Sequence, residues 1–183
     1  MIALFLAQGF EEAEALIPLD MLRRVGAEVV TVGVGGKVIC GAHAIPVTAD
    51  LTDGELNLSQ LDGVILPGGM PGTKNLMASD LVSAAIDHSA AKGDLLAAIC
   101  AAPSVLGQKG LLQGKNTTCF PGFEEQCIGA NLLSDGVVAD GNIITAKGAG
   151  CAFPFGAALV SFVKDEKTAQ QLLQDMQYNE RHS

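Results

Sequence analysis

Basic side chains are scarce. The chain of 183 residues carries 11 Lys and Arg against 20 Asp and Glu, a formal net charge of -9. Nucleic acid or an anionic membrane would need a cationic footprint that this balance does not supply. Long hydrophobic runs are missing as well. The longest unbroken one, Leu95 to Ala102, falls far short of the roughly 20 residues that cross a bilayer. No C-x-x-C pair occurs, and the cysteines (Cys40, Cys100, Cys119, Cys127, Cys151) are an odd set of five. Neither a disulfide framework nor a zinc site is therefore expected, and reduced thiols in the cytoplasm fit best. His43, His88 and His182 are too few for a histidine-based metal cluster. A G-x-G-x-x-G or P-loop pattern is also lacking, so a nucleotide site has little support. No cofactor and no metal are expected.

What is present is enough for one large core. Apolar residues make up 49% and charged residues 17%, and the length fits the prior of about 100–200 residues per domain. With no repeat, linker or low-complexity stretch, a single domain over 1–183 is expected. Met1–Ala7 is apolar but has no basic leader, and reads as a buried strand rather than a signal peptide.

Blunt apolar runs at Met1–Ala7, Glu28–Val34, Gly63–Leu66, Leu95–Ile99 and Ile143–Ala146 read as strands covered on both faces of a parallel sheet. Between them lie helical stretches: Glu11–Val25, Thr73–Ala91 and Ala101–Lys109, each followed by a glycine. An apolar helix over Cys151–Val163 and a polar amphipathic one over Lys164–Tyr178 complete the set. This alternation implies an α/β sandwich with right-handed crossovers. Gly35-Gly36 and Asp140-Gly141-Asn142 suggest hairpins. Glycines collect where strands give way to helices (Gly68, Gly69, Gly72, Gly148, Gly150), at the sheet edge where open α/β folds bind ligands. Each is equally readable as a tight turn.

Cys100 sits at the joint between the strand Leu95–Ile99 and a helix start at Ala101-Ala102-Pro103. Free N–H groups and the positive helix end favour thiolate there, so its pKa is expected below the reference of about 8.5. This is a nucleophile elbow with sulfur in place of oxygen; the competing reading is a buried, inert thiol. If the neighbouring strand ends lie together, the N–H groups of Gly69 and Ala101 form an oxyanion hole. On the first helix, Glu14 shares a face with Pro18, Met21 and Val25. A carboxyl desolvated there has a raised pKa and can stay protonated, although it also reads as a solvated first-turn acid. Glu11 and Glu12 read as ordinary first-turn acids. Cys119 and Cys127 read as structural thiols, the alternative being that one resolves an oxidised Cys100. Cys151 reads as core packing or, beside Gly148–Gly150, a pocket position. Arg23 and Arg24 read as a surface pair.

Gly9-Phe10-Glu11-Glu12-Ala13-Glu14 with Ile17-Pro18, Leu66-Pro67-Gly68-Gly69, and Ala97-Ala98-Ile99-Cys100-Ala101-Ala102-Pro103 together resemble the DJ-1/ThiJ/PfpI superfamily. The similarity falls on the branch of the Parkinson-associated deglycase and its bacterial homologues, and runs from residue 2 to about 165. The resemblance implies a flavodoxin-like, three-layer sandwich of the class I glutamine amidotransferase type, usually a homodimer. It makes Cys100 the reactive cysteine and Glu14 the protonated glutamate. Gly69 and Ala101 become the N–H donors. Gly68, Gly148 and Cys119 are expected to line the pocket around them. Family members are described as glutathione-independent glyoxalases, deglycases, oxidative-stress sensors and chaperones.

Departures from the pattern matter. Ala101 stands where peptidase-like relatives have histidine, which argues against a Cys-His protease. Thr117-Thr118 leads into Cys119-Phe120-Pro121 without an imidazole. Lys147 replaces a family arginine, Gly148-Ala149-Gly150-Cys151 replaces Gly-Pro-Gly-Thr, and Gly41-Ala42 replaces a serine-arginine pair. The leading reading is Cys100-thiolate chemistry on small α-oxoaldehydes or their adducts, with Glu14 moving the proton. A non-turnover oxidative-stress sensor or chaperone acting through Cys100 oxidation is the alternative. A peptidase or amidase remains only if the fold brings His43 or His88 to the crevice.

Overall fold

The computed structural model describes residues 1–178; His182 lies outside them. The strands are β1 (Ile2–Leu6), β2 (Val29–Gly33), β3 (Val38–Cys40), β4 (Pro46–Thr48), β5 (Leu51–Thr52), β6 (Gly63–Leu66), β7 (Leu95–Ile99), β8 (Asn116–Thr117), β9 (Asn131–Leu132), β10 (Val137–Asp140) and β11 (Ile143–Ala146). The helices are α1 (Glu12–Arg24), α2 (Gly72–Met77), α3 (Asp80–Lys92), α4 (Pro103–Gln108), α5 (Ala152–Val163) and α6 (Glu166–Asp175). Seven strands form one sheet in the order β10-β11-β7-β6-β1-β2-β5. All its pairings are parallel except β10 with β11.

The blunt apolar runs explain this sheet. Every residue of β1, β6, β7 and β11 is buried, as strands must be when helices cover both faces. On one face, α1, α5 and α6 contribute Leu22, Phe155, Leu159 and Leu172 to a cluster with Leu4, Ile65 and Ile99. On the other, α2, α3 and α4 contribute Leu76, Ile86 and Leu106 to a cluster with Phe5, Leu66 and Ala98. Burying one such side chain contributes roughly 1.5–3 kcal/mol, so the two-sided cover is what holds the sheet.

Three local readings are corrected. The stretch Thr73–Ala91 is two helices, because the Ser79 hydroxyl accepts from the Val82 N–H (3.3 Å) and caps a new helix. Gly35-Gly36 makes a turn but no hairpin. β2 is already flanked by β1 and β5, and β3 pairs instead with β4, antiparallel. The helix after Cys100 begins at Pro103 rather than Ala101. The Asp140-Gly141-Asn142 hairpin joins β10 and β11 as the sequence suggests.

Parallel pairing brings the carboxyl ends of β1, β6, β7 and β11 to one edge of the sheet. Glu14, Gly68, Cys100 and Gly148 follow those four ends.

Candidate active site

Cys100 is tied down by backbone on both sides. Its N–H donates to the Ala146 carbonyl (2.8 Å), and its own carbonyl accepts from the Phe120 N–H (2.8 Å). Between these bonds the residue adopts φ 66°, a left-handed conformation that costs a non-glycine residue on the order of 1–3 kcal/mol. The turn leaves the thiol half-buried, with the N–H groups of Gly69 and Ala101 acting on the sulfur to favour its charged form. Gly69 adopts φ 89°, and a Cβ on it would lie 2.4 Å from the Glu11 nitrogen. Glycine is therefore required where its N–H turns toward the thiol.

Glu14 reaches the same sulfur from α1. It is only 1% exposed, and its Oε2 accepts from the Gly68 N–H at 2.9 Å. Its carboxyl meets the Cys100 side chain over Gly68 and acts on the thiol. Burial raises the Glu14 pKa to about 7; the bonds to Cys100 and Gly68 pull it down, and the charge of Glu11 pushes it up. Gly68 makes the contact possible, since a Cβ there would sit 2.6 Å from the Cys100 Cβ and 2.6 Å from Glu14 Oε2.

The thiol's acidity departs from the sequence reading. Burial pushes Cys100 up to about 12, helped by the Glu14 carboxylate charge and hydrogen bond, while the Gly69 and Ala101 N–H groups act the other way. The reason is local. Ala102, not Cys100, caps α4, so the helix end lies too far along to dominate, and the nearest ionisable neighbour is an acid. Two acids touching in a dry site resist carrying two negative charges. Their titration belongs to the pair, and the acidity of the sulfur is set by whether Glu14 holds its proton.

Glu12 is not the solvated acid the sequence suggests. It is buried, accepting from the His43 N–H at Oε1 (2.8 Å) and meeting His43 Nδ1 at Oε2 (2.8 Å). This clamp ties the β3–β4 hairpin to the start of α1. Burial opposes ionisation of Glu12, but the His43 bonds outweigh it and hold the carboxyl below its ordinary value. Glu11, Glu12 and His43 bring donor atoms within 4.8 Å of one another, the grouping among the described residues best able to meet a metal ion.

The remaining expected positions separate. Gly148 follows β11 at the same edge, and a Cβ on it would lie 3.3 Å from the Phe120 ring. Cys119 faces away from the site. It is buried in the cluster beneath α2–α4 with its thiol against that of Cys127, whereas Cys100 packs against the opposite cluster. The alternation of the chain at Phe120, whose N–H reaches Cys100, turns the preceding side chain inward. Neither His43 nor His88 is among the groups acting on the thiol. Lys147 Nζ donates to the Ser134 carbonyl (3.2 Å). Arg23 and Arg24 pair with Asp50 and Asp20 at the surface. All five cysteines are free, and no described helix is long and apolar enough to cross a membrane. Phe120 is the residue that sequence reasoning passed over; its signal was an aromatic placed directly after the threonine pair and Cys119.

The chain is similar to known proteins over nearly its whole length. Protein dj-1beta of Drosophila melanogaster is 34% identical over 170 residues, covering 91% of each chain. A Pyrococcus horikoshii protein named as a deglycase is 32% identical over 150 residues, covering 80% of this chain and 90% of that one. Among solved structures, a variant of a DJ-1 superfamily protein from Salmonella typhimurium superposes with a TM-score of 0.91 at 35% identity, covering 97% of this chain and 98% of that one. With residues 1–162 matching the DJ-1/PfpI family, the chain belongs to that family.

Proposed function

We propose that this protein converts α-oxoaldehydes, free or as early adducts, to hydroxy acids without glutathione. The observation that carries the reading is the meeting of Glu14 and Cys100 over Gly68, two acids at the edge of the sheet with the N–H groups of Gly69 and Ala101 acting on the sulfur. The reactive form has the proton on Glu14 and the charge on sulfur. The sulfur lone pair forms a bond to the aldehyde carbon, and the carbonyl π pair moves onto oxygen. That oxygen is stabilised by the Gly69 and Ala101 N–H groups and takes the Glu14 proton, giving a hemithioacetal. Glu14, now a carboxylate, removes the hydrogen on that carbon as a proton to leave an enediolate and returns it to the former ketone carbon. The hydroxyl proton passes to the neighbouring oxygen, and the first oxygen becomes the thioester carbonyl. The product is a thioester of the 2-hydroxy acid. Water adds to it, and the C–S bond breaks to release the acid and restore the thiol. Deglycase-named relatives support the substrate class. The reading carries with it a homodimer in a reducing cytoplasm.

The test is lactate formation from methylglyoxal with glutathione absent. Activity lost in both Cys100→Ser and Glu14→Gln is expected; lactate at the parent level in Cys100→Ser defeats the proposal. Deglycation needs the same controls, because consumption of free aldehyde mimics it.

The same site supports a second reading, a sensor that does not turn over. A half-buried Cys100 oxidised to sulfinate would accept from the two N–H groups and from a protonated Glu14. Mass spectrometry after mild peroxide tests it: oxidation confined to Cys100 is expected, and equal oxidation of all five cysteines removes it.

A further inference from the structure

Phe120 is a large apolar side chain left 46% exposed beside the nucleophile. Its position is not a loop accident. The Phe120 N–H donates to the Cys100 carbonyl (2.8 Å), and the Phe120 carbonyl accepts from the Phe123 N–H (3.1 Å), closing a turn beneath the ring. One flank of the ring rests on Gly148, where a Cβ would stand 3.3 Å from Cδ2. The absence of a side chain at 148 is what lets the ring lie there. A half-exposed aromatic ring, anchored through its own N–H to the Cys100 carbonyl and resting on Gly148, offers an apolar surface next to the nucleophile's segment.

The charges nearby point the same way. Glu14 meets the Cys100 side chain over Gly68, Glu11 acts on Glu14, and Glu12 is held by His43. Lys147, which follows β11, is drawn to the Ser134 carbonyl. Among the described residues no cationic group acts on the thiol, so an acidic substituent gains no partner from them and meets carboxyls, whereas an aromatic one meets Phe120.

Resting on the glyoxalase reading above, we propose that Phe120 selects α-oxoaldehydes whose ketone carbon bears an aryl or comparably bulky apolar group over those bearing a methyl group. The ring takes the substituent while the aldehyde carbon meets Cys100.

Two ratios test this. The first is kcat/KM for phenylglyoxal over methylglyoxal. The second is the rate of Cys100 labelling by 2-bromoacetophenone over iodoacetamide, which needs no turnover. Phe120→Ala is expected to lower both ratios about tenfold, from lost stacking and apolar contact. Phe120→Leu, which keeps apolar bulk, is expected to lower them about threefold and decides the matter if the alanine variant does not fold. Ratios within about twofold of the parent in both variants would overturn the proposal. A fall in the labelling ratio with no oxoaldehyde consumed by the parent would keep the aryl subsite and sink the glyoxalase reading. Turnover with unmoved ratios would do the reverse.

Discussion

Gly68→Ala places a methyl group between the two acids. That carbon would stand 2.6 Å from the Cys100 Cβ, 2.6 Å from Glu14 Oε2 and 3.0 Å from the Ile99 carbonyl oxygen. Ordinary carbon contacts begin near ~3.5 Å, so the Cys100 and Glu14 atoms must give by close to ~1 Å and the Ile99 backbone oxygen by about half that. Gly68 is not among the residues with positive φ, which makes the cost one of space rather than backbone conformation. Overpacking of this kind costs about 1–3 kcal/mol. For a chain of this size 1 kcal/mol moves the melting temperature by roughly 2–4 °C, so a fall of roughly 2–12 °C is expected. The chemical effect is sharper. With Glu14 driven from the sulfur, the pair no longer titrates as one unit, and the rate of Cys100 alkylation by iodoacetamide loses the step near pH 7 that the Glu14 carboxyl imposes. Thermal unfolding and the alkylation profile between pH 5 and 10 check the two effects. A variant with the parent's melting temperature and the parent's profile would refute the claim that Gly68 is the space in which the two acids meet.

Glu14→Gln tests the buried acid through stability. The Glu14 pKa is raised from 4.5 to about 7. Its stabilisation is therefore complete below the unfolded value and lost as pH climbs through the folded one, a swing of about 3 kcal/mol. The urea midpoint of the parent should fall between pH 5 and 8, and that of Glu14→Gln should fall much less. The Glu12 hydrogen bond raises the pKa of His43, so the contribution of that clamp is present below about pH 6.5 and fades above the folded value. His43→Ala should accordingly lower the melting temperature more at pH 6 than at pH 9. Ser79→Ala removes the cap that separates α2 from α3. A loss of about 1 kcal/mol, seen as a melting temperature lower by roughly 2–4 °C, is expected.

The order of elements, the five main strands and the glycine-marked strand ends are legible along the chain, because burial on both faces writes an unbroken apolar run wherever a parallel strand passes. Gly63–Leu66, Leu95–Ile99 and Ile143–Ala146 are strands at the bounds their residues suggest. The joint at Cys100 and the inward stripe of Glu14, Pro18 and Met21 are legible for the same reason: they depend on neighbours a few residues away. Only the tertiary structure decided what those residues do to one another. Gly68 meets Glu14 across 54 positions of sequence, and the thiol's acidity depends on a carboxyl still farther from it along the chain. A local rule about helix ends therefore predicted lowering where burial and a second acid produce raising. Cys119 turned into the core and Phe120 out of it because one backbone bond to Cys100 set the phase of that segment. Glu12 was buried because a hairpin more than a helix length away delivered His43 to it. Periodicity and propensity are properties of a short window, whereas charge, desolvation and contact are fixed by which distant segments the sheet order lays side by side.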